Sequence, residues 1–199
     1  MQERHETPDK EAIALLDPFE RIMLDRIVLV SGLEQAERAF AELTTAKAWG
    51  FDTESKPTFL RNEASEGPHV LQLATAGKAW VFQLHDAGVR TVAGRLLAFG
   101  GIVKVGFGLG DDRKRILHKL GVEPADVLDL NTLFRERGYR KEMGVKGAVA
   151  VLFGKRYLKS KKVQTSNWAS PRLNEAQVLY AANDAWAALK VYEALLASA

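Results

Sequence analysis

Short apolar runs alternate along the chain with longer stretches in which apolar residues recur every three to four positions. A short run is typical of a strand, whereas the three-to-four spacing is typical of a helix. The short runs predict strands at residues 27–30, 51–54, 70–74, 79–84, 102–107 and 127–130. The longer stretches predict helices at residues 34–49, 89–99, 111–120, 145–153, 175–180 and 181–196. Residues 1–24 form a polar extension with one predicted short helix at 11–16 and no strong core signature.

The order of these elements predicts an α/β fold in one domain over residues 25–199. The runs at 70–74 and 79–84 are separated by the turn Thr75-Ala-Gly-Lys78, which predicts a hairpin. The earlier strands mostly follow one another, whereas the later ones alternate with helices. This order is typical of a mixed sheet that begins as an antiparallel meander and continues through crossover helices.

Composition and charge exclude several classes of protein. The chain has 199 residues, of which 47% are hydrophobic and 27% are charged, as in an ordinary globular domain. Charges interrupt every apolar run before it approaches the ~20 residues of a membrane span, and the N-terminus has no signal-peptide pattern. The absence of cysteine excludes disulfides, thiolate metal sites and a cysteine nucleophile, and it fits the cytoplasmic location that we expect. The net charge of +3 does not by itself indicate a nucleic-acid partner.

An acidic pair, Asp52 and Glu54, interrupts the second predicted strand. Residues two apart on a strand project from the same face, so these carboxylates point together while Phe51 and Thr53 face the other way. The two charges repel each other, and each loses hydration if it is partly buried. A divalent cation between them relieves both costs, and carboxylate oxygens suit Mg²⁺ or Mn²⁺. The alternative is an ordinary strand end with two solvated acids.

Two further acidic patches follow in the chain. Asp111 and Asp112 come after a glycine-rich turn, where Asp111 fits the N-cap of the next helix and Asp112 is free to project elsewhere. The glycine spacing matches neither the dinucleotide fingerprint nor the phosphate-binding loop. Tyr180 and Asp184 lie one helical turn apart in an apolar stretch, where a carboxylate is costly unless it is paired or coordinated. The alternative for Asp184 is a cap at a break in the helix, but the three patches together predict a divalent-metal nuclease.

A basic cluster lies between the second and third patches. Its members, which we expect to bind nucleic acid, are Lys155, Arg156, Lys159, Lys161 and Lys162. Tyr157 and Trp168 lie within or close to the cluster. Basic groups beside exposed rings suit a single strand, because its phosphates need neutralising and its bases stack, so Trp168 joins the predicted nucleic-acid-binding residues. The alternative is a plain solvated surface.

The order and spacing of the acidic patches resemble a known family. Asp-x-Glu at 52–54, Gly-x-x-x-Asp at 108–112 and Tyr-x-x-x-Asp at 180–184 look like the DEDD superfamily of 3′–5′ exonucleases. The tyrosine indicates the branch that includes ribonuclease D and the exonuclease domain of the Werner syndrome protein. Three linking segments also resemble this branch: 152–155, 166–168 and 173–177. The resemblance covers residues 26–196.

The resemblance implies a ribonuclease H-like fold, in which helices flank a five-stranded mixed sheet. It implies metal ligands at Asp52, Glu54, Asp112 and Asp184, with Tyr180 placing the attacking water. It further implies a two-metal-ion mechanism with Mg²⁺ or Mn²⁺. The expected reaction is the release of nucleoside 5′-monophosphates from the 3′ end of single-stranded DNA or RNA.

One position departs from the family pattern. Ser55 follows the Asp-x-Glu pair, where many members have an aromatic or bulky residue, so a stacking contact with the terminal base would come from elsewhere, with Phe59 as a candidate. Two rival functions stay open. One is a non-catalytic nucleic-acid-binding module on the same fold, which is disfavoured because buried acids without a function cost stability. The other is a metal hydrolase that acts on a small phosphodiester or nucleotide.

Overall fold

The computed structural model describes residues 5–58 and 65–198. The strands are β1 (Ile27–Val30), β2 (Ala48–Glu54), β3 (Val70–Ala74), β4 (Ala79–Gln83), β5 (Val103–Gly106) and β6 (Val127–Asp129). The helices are α1 (Lys10–Ala14), α2 (Leu33–Leu43), α3 (Ala87–Ala98), α4 (Gly110–Leu120), α5 (Leu130–Glu136), α6 (Gly144–Phe153), α7 (Lys161–Gln164) and α8 (Glu175–Ala197), with a short 3₁₀ helix at Leu24–Arg26. Within the described ranges, each helix is too short or too polar to cross a membrane.

All six strands form one mixed sheet in the order β1-β4-β3-β2-β5-β6. β2, β3 and β4 form an antiparallel meander, and the predicted hairpin is confirmed by the pairing of Ala74 with Ala79. β1 runs parallel to β4, β5 to β2, and β6 to β5. The sheet therefore has six strands rather than the five that the family resemblance implies, with β1 at one edge beside β4 and β6 at the other edge beside β5.

Helices cover both faces of the sheet, and side chains of the strands alternate between two apolar cores. One core, under α2, α3 and α4, contains Phe51 of β2. The other core, under α5, α6 and α8, contains Val81 of β4. α8 packs closely on β2 at Gly50, where a Cβ atom would lie 1.8 Å from the carbonyl oxygen of Ala185. This close approach brings the middle of α8 to the strand that carries the first acidic pair.

The two predicted helices at 175–180 and 181–196 are one continuous helix, α8. The helix begins with a capping box, in which the Asn174 side chain accepts the backbone N–H of Gln177 and the Gln177 side chain accepts that of Asn174. A helix that is apolar all round is typical of a buried position, and α8 lies in the core. Asp184 therefore does not cap a break; it lies in the helix one turn after Tyr180.

Helix α4 begins one residue earlier than its pattern predicts. Its first residue is Gly110, and the N-cap residue Leu109 makes no side-chain hydrogen bond to the helix. Asp111 is therefore not the N-cap but lies with Asp112 in the first turn, where the helix dipole stabilises negative charge. Asp111 is exposed and Asp112 is partly buried.

The N-terminal segment contributes to the core, which its sequence pattern did not indicate. Phe19 and Ile22 are buried in the core under α8. The Asn183 side chain accepts the backbone N–H of Ile22 at 3.0 Å and donates to its carbonyl at 3.1 Å. Two isolated apolar residues have no period, so the sequence alone gave no sign of this packing. The predicted helix at 11–16 is the shorter α1.

Candidate active site

Three carboxylates from two distant parts of the chain converge at the end of β2. Asp52 and Glu54 project from one face of β2, and Asp184 lies on α8, which packs against that face. One carboxylate oxygen from each of Asp52, Glu54 and Asp184 lies within 4.8 Å of the others. We call these three residues the carboxylate cluster. Asp184 is buried, whereas Asp52 and Glu54 are partly exposed.

Asp112 approaches the same region from the opposite face of the sheet. Its carboxylate accepts a hydrogen bond from the hydroxyl group of Thr53, whose side chain faces away from those of Asp52 and Glu54. The charge of Asp112 nevertheless raises the pKa of Asp52 and of Glu54, so it acts on the cluster. In this structure Asp112 is a neighbour of the carboxylate cluster and not one of its members.

The carboxylate cluster concentrates negative charge in a poorly hydrated place. Burial, followed by the charge of Asp184, raises the pKa of Asp52 to about 8, and Lys159 opposes this shift. Burial, followed by the charge of Asp52, raises the pKa of Glu54 to about 9. Burial also raises the pKa of Asp112. Carboxyl pKa values shifted upward in this way indicate crowded charge that a bound cation would relieve.

Two side chains hold Asp184. The hydroxyl group of Tyr157 donates a hydrogen bond of 2.6 Å to one carboxylate oxygen, and Lys159 Nζ lies 2.6 Å from the other. Because Asp184 is only 4% exposed, these partners compensate for the loss of water around its charge. Burial, followed by the charge of Asp184, raises the pKa of Tyr157 well above its usual range, so this phenol remains a hydrogen-bond donor.

Tyr180 lies beside this arrangement, and Lys159 interacts with its hydroxyl group. Its ring is buried, with its centroid 5.7 Å from that of Trp168 and 5.0 Å from Lys159 Nζ. Among the described residues, none meets the hydroxyl oxygen in full hydrogen-bond geometry. Burial, followed by the charge of Asp184, raises the pKa of Tyr180. The phenol therefore stays protonated at neutral pH and is available to a ligand as a hydrogen-bonding group.

The predicted basic cluster is divided in the structure. Lys159 is turned into the carboxylate cluster. Lys155 and Arg156 contact the N-terminal segment, through a 3.1 Å ion pair and a 2.6 Å hydrogen bond to a backbone carbonyl. Lys161 and Lys162 are exposed on α7 and are the members with the freest access to a large ligand. The five residues therefore do not form one continuous basic surface.

The two rings near the basic cluster do not offer exposed stacking surfaces. Trp168 is 1% exposed and Tyr157 is 5% exposed, so neither is the exposed ring that the sequence pattern indicated, and nucleic-acid binding by Trp168 stays a prediction. Trp168 instead packs against Tyr180 and donates a 3.0 Å hydrogen bond to the carbonyl of Gln164. Phe59, the other predicted stacking residue, lies outside the described residues.

Two clefts border the candidate site. The first has a volume of about 280 Å³, and its lining includes His69, His85, Lys119 and Trp168. The second has a volume of about 480 Å³, and its lining includes Arg21, Tyr157, Lys159 and Tyr180. The second cleft reaches the surroundings of the carboxylate cluster through Lys159, which pairs with Asp184. The first cleft reaches Trp168, whose ring packs against that of Tyr180.

The sequence interpretation missed three polar residues of this region. Tyr157 was expected to present an exposed ring, but it donates to Asp184. Thr53 was expected only to face away from the acidic pair, but it donates to Asp112. Gln72 has no predicted role, although a glutamine in an otherwise apolar strand is a signal that singles it out.

The donor set of the carboxylate cluster suits a hard divalent cation. All three groups offer oxygen atoms, and Mg²⁺ and Mn²⁺ prefer oxygen ligands. Burial, together with the neighbouring carboxylates, raises the pKa of Asp52 and of Glu54, and a bound cation opposes both effects. These three residues are therefore the ones that could hold a metal ion, with Asp112 close enough to influence it.

Comparison with known proteins places the chain in a family. The 3′–5′ exonuclease family model matches residues 27–198. A 3′-5′ exonuclease of Arabidopsis thaliana is 28% identical over 148 residues, which cover 73% of this chain and 51% of that protein. The bifunctional 3′-5′ exonuclease/ATP-dependent helicase WRN of Mus musculus is 29% identical over 148 residues, which cover 73% of this chain and 11% of that protein. The matched region thus spans about half of the first relative and about a tenth of the second.

Solved structures share the fold. The EXO domain of Aedes aegypti Nibbler has a TM-score of 0.74 at 22% identity, covering 88% of this chain and 89% of that chain. Trypanosoma brucei RNase D, in its complex with RNA U12, has a TM-score of 0.75 at 22% identity, covering 85% of this chain and 62% of that chain. The predicted ribonuclease H-like α/β fold is confirmed apart from the number of strands. From the family match over residues 27–198 and the shared fold, we conclude that the chain belongs to the 3′–5′ exonuclease family.

Proposed function

We propose that the protein is a metal-dependent 3′–5′ exonuclease that removes nucleoside 5′-monophosphates from the 3′ end of single-stranded nucleic acid. The observation that carries this proposal is the carboxylate cluster, whose oxygen atoms from β2 and α8 lie within 4.8 Å of one another. Burial and the neighbouring carboxylates raise the pKa of Asp52 and of Glu54, and a structural role alone gives no reason for three carboxylates at one point.

The proposed metal site has two parts, one on each face of β2. Asp52, Glu54 and Asp184 would hold a divalent cation, and Asp112 would support a second one from the Thr53 side of β2. When bound, such ions supply a water of lowered pKa and stabilise negative charge on the oxygen that leaves. Mg²⁺ and Mn²⁺ both suit the oxygen ligands.

The protein's own side chains would position the reacting groups. Tyr180 has a protonated hydroxyl group beside the cluster, which suits the orientation of an attacking water by hydrogen bonding. Its raised pKa makes it a poor general base. Tyr157 fixes Asp184 through a 2.6 Å hydrogen bond and so holds one metal ligand in place. Lys159 neutralises Asp184 in the metal-free protein, so a cation that binds there competes with this ion pair.

A single-stranded polymer fits the surroundings of the site. The cleft of about 480 Å³ is lined by Arg21 and Lys159, and the exposed Lys161 and Lys162 lie on the neighbouring helix α7. Positive groups of this kind neutralise phosphates along a strand. RNA is a substrate to test first, because the RNase D with the same fold was crystallised with RNA, and DNA is tested beside it.

The test measures nucleotide release from 3′-labelled single-stranded RNA and DNA with Mn²⁺, with Mg²⁺ and with chelator. We expect release only with a divalent ion. Asp52→Asn and Asp184→Asn should each lower the rate by on the order of a hundredfold or more. Asp111→Asn, in an exposed position next to Asp112, is the matched control and should retain the rate.

Three results would contradict the proposal. Release that persists in chelator would remove the metal requirement, and unchanged rates in both cluster variants would remove the assigned ligands. Binding of strands by the folded wild type without any hydrolysis would favour the non-catalytic module. Circular dichroism of each variant separates a lost activity from a lost fold.

A further inference from the structure

One buried side chain next to the carboxylate cluster has no hydrogen-bond partner. Gln72 lies in the middle of β3 and is 0% exposed. Among the described residues, neither its amide nitrogen nor its amide oxygen has a partner. A buried amide without partners costs free energy, because it has given up its hydrogen bonds to water. Such a group in a native structure therefore calls for a reason.

The register of the sheet places Gln72 directly opposite Asp52. The two residues are Cα partners in the antiparallel pairing of β3 with β2. Opposite residues project from the same face, with Cβ atoms about 4.5–5.5 Å apart. One oxygen of the Asp52 carboxylate already accepts the backbone N–H of Thr53 at 2.8 Å, which fixes its position on the β2 side. The Gln72 side chain projects from the same face of the sheet, on the β3 side of this carboxylate.

The surroundings of Gln72 would suit an apolar side chain. Val70 and Ala74, two residues away on β3, lie on the same face and belong to the apolar core under α8. Val81, its partner on β4, belongs to the same core. A leucine or methionine at position 72 would be expected to pack here without an unpaired polar group. The amide is therefore best explained by what it does for its polar neighbour.

We propose that Gln72 is a positioning residue for Asp52. When a divalent cation binds, the Gln72 amide –NH₂, which has no partner in this structure, donates to the Asp52 carboxylate, directly or through one buried water, and holds it in the orientation it shares with Glu54 and Asp184. The inference rests on the proposed metal site, and it concerns binding of the ion by the protein without nucleic acid. Partners of this kind, which contact a ligand and not the ion, typically contribute to affinity for the metal.

The test compares Gln72→Leu and Gln72→Met with the wild type in two measurements. The first is thermal unfolding in chelator, and the second is Mn²⁺ binding to the nucleic-acid-free protein by electron paramagnetic resonance. We expect both variants to unfold at the wild-type temperature or above it, because they remove an unpaired buried amide. We expect the same variants to bind Mn²⁺ roughly tenfold more weakly. A purely structural role does not predict this combination.

Gln83→Met is the matched control. Gln83 projects from the same face of the sheet and is 3% exposed, but it donates to the carbonyl groups of Ser170 and Pro171, at 3.4 and 3.2 Å. Its loss should lower the unfolding temperature and leave Mn²⁺ affinity within about twofold of wild type, as for independent sites.

The outcomes separate the proposed metal site from the proposed role of Gln72. Wild-type protein that binds no Mn²⁺ would overturn the proposed metal site and this inference with it. Wild-type protein that binds Mn²⁺, with both Gln72 variants binding it equally well, would overturn the role of Gln72 alone. If one of the two Gln72 variants fails to fold, the Mn²⁺ affinity of the other variant tests the role of Gln72. A crystal structure with bound Mn²⁺ in which the Gln72 amide still lacks a partner would also overturn the positioning role of Gln72.

Discussion

Substitution of Asp52 by asparagine should make the metal-free protein more stable, although it removes a proposed metal ligand. Burial and the charge of Asp184 raise the pKa of Asp52 from 3.8 to about 8. An acid whose pKa is raised by folding binds its proton more tightly in the folded state. Its contribution to stability is therefore complete near pH 4 and falls as the pH rises toward 8. Asparagine carries no charge at either pH and avoids this loss.

The size of this gain in stability follows from the shift in the pKa of Asp52. One pH unit corresponds to about 1.4 kcal/mol, so the interval from 3.8 to about 8 sets an upper limit of about 6 kcal/mol at pH 8. The variant retains Glu54 and Asp184, which still repel each other, and Lys159 already offsets part of the charge. We therefore expect a gain of about 2 kcal/mol in the free energy of unfolding at pH 8. For a chain of this size the unfolding temperature should rise by about 4–8 °C.

The assay is urea unfolding followed by tryptophan fluorescence, in chelator, at pH 4 and pH 8. The gain of Asp52→Asn should be present at pH 8 and absent at pH 4. Added Mn²⁺ should stabilise the wild type more than the variant, because the ion binds the intact cluster. The control Asp111→Asn should change the free energy of unfolding by less than about 0.5 kcal/mol. A variant less stable than wild type at pH 8 in chelator would show that Asp52 is not in a crowded acidic site.

Three further expectations test the surroundings of the site. Tyr157→Phe removes a buried 2.6 Å hydrogen bond to the α8 carboxylate, so urea unfolding in chelator should show a loss of about 1–2 kcal/mol, and no loss would contradict that contact. Gly50→Ala places a methyl group on the α8 backbone and should cost at least about 3 kcal/mol in the same assay, whereas the control Gly77→Ala, with open space around it, should cost less than about 1 kcal/mol. Equal effects at the two glycines would show that α8 does not depend on close approach to β2. Changing Lys161 and Lys162 to glutamine should reduce the slope of log binding constant against log salt by up to about 1.4 for a single strand, and an unchanged slope would make them ordinary surface residues.

Features that depend on local spacing were predicted well from the sequence. Strand alternation placed Asp52 and Glu54 on one face, and helical spacing placed Tyr180 one turn before Asp184. The hairpin of β3 and β4 followed from a four-residue turn between two apolar runs. The meeting of β2 with α8 depends on long-range packing at Gly50, and only the family resemblance indicated it in advance.

Features that depend on what a side chain meets across the fold were not predictable in the same way. In the sequence, Lys159 resembles the surface lysines around it. In the fold, its side chain forms an ion pair with Asp184. Trp168 looked like a stacking surface, but α8 covers its ring. Asn183, between two apolar helix turns, binds the backbone of Ile22 and so joins the N-terminal segment to the core. No local pattern distinguishes these residues from their exposed counterparts.

The central claim is that carboxylates far apart in sequence form one binding site for divalent cations. The most direct measurement is anomalous X-ray scattering from crystals soaked in Mn²⁺. We predict a peak within ligand distance of the carboxylate oxygens of Asp52, Glu54 and Asp184. A map with no peak there, from crystals whose soaking solution contained ample Mn²⁺, would contradict the account.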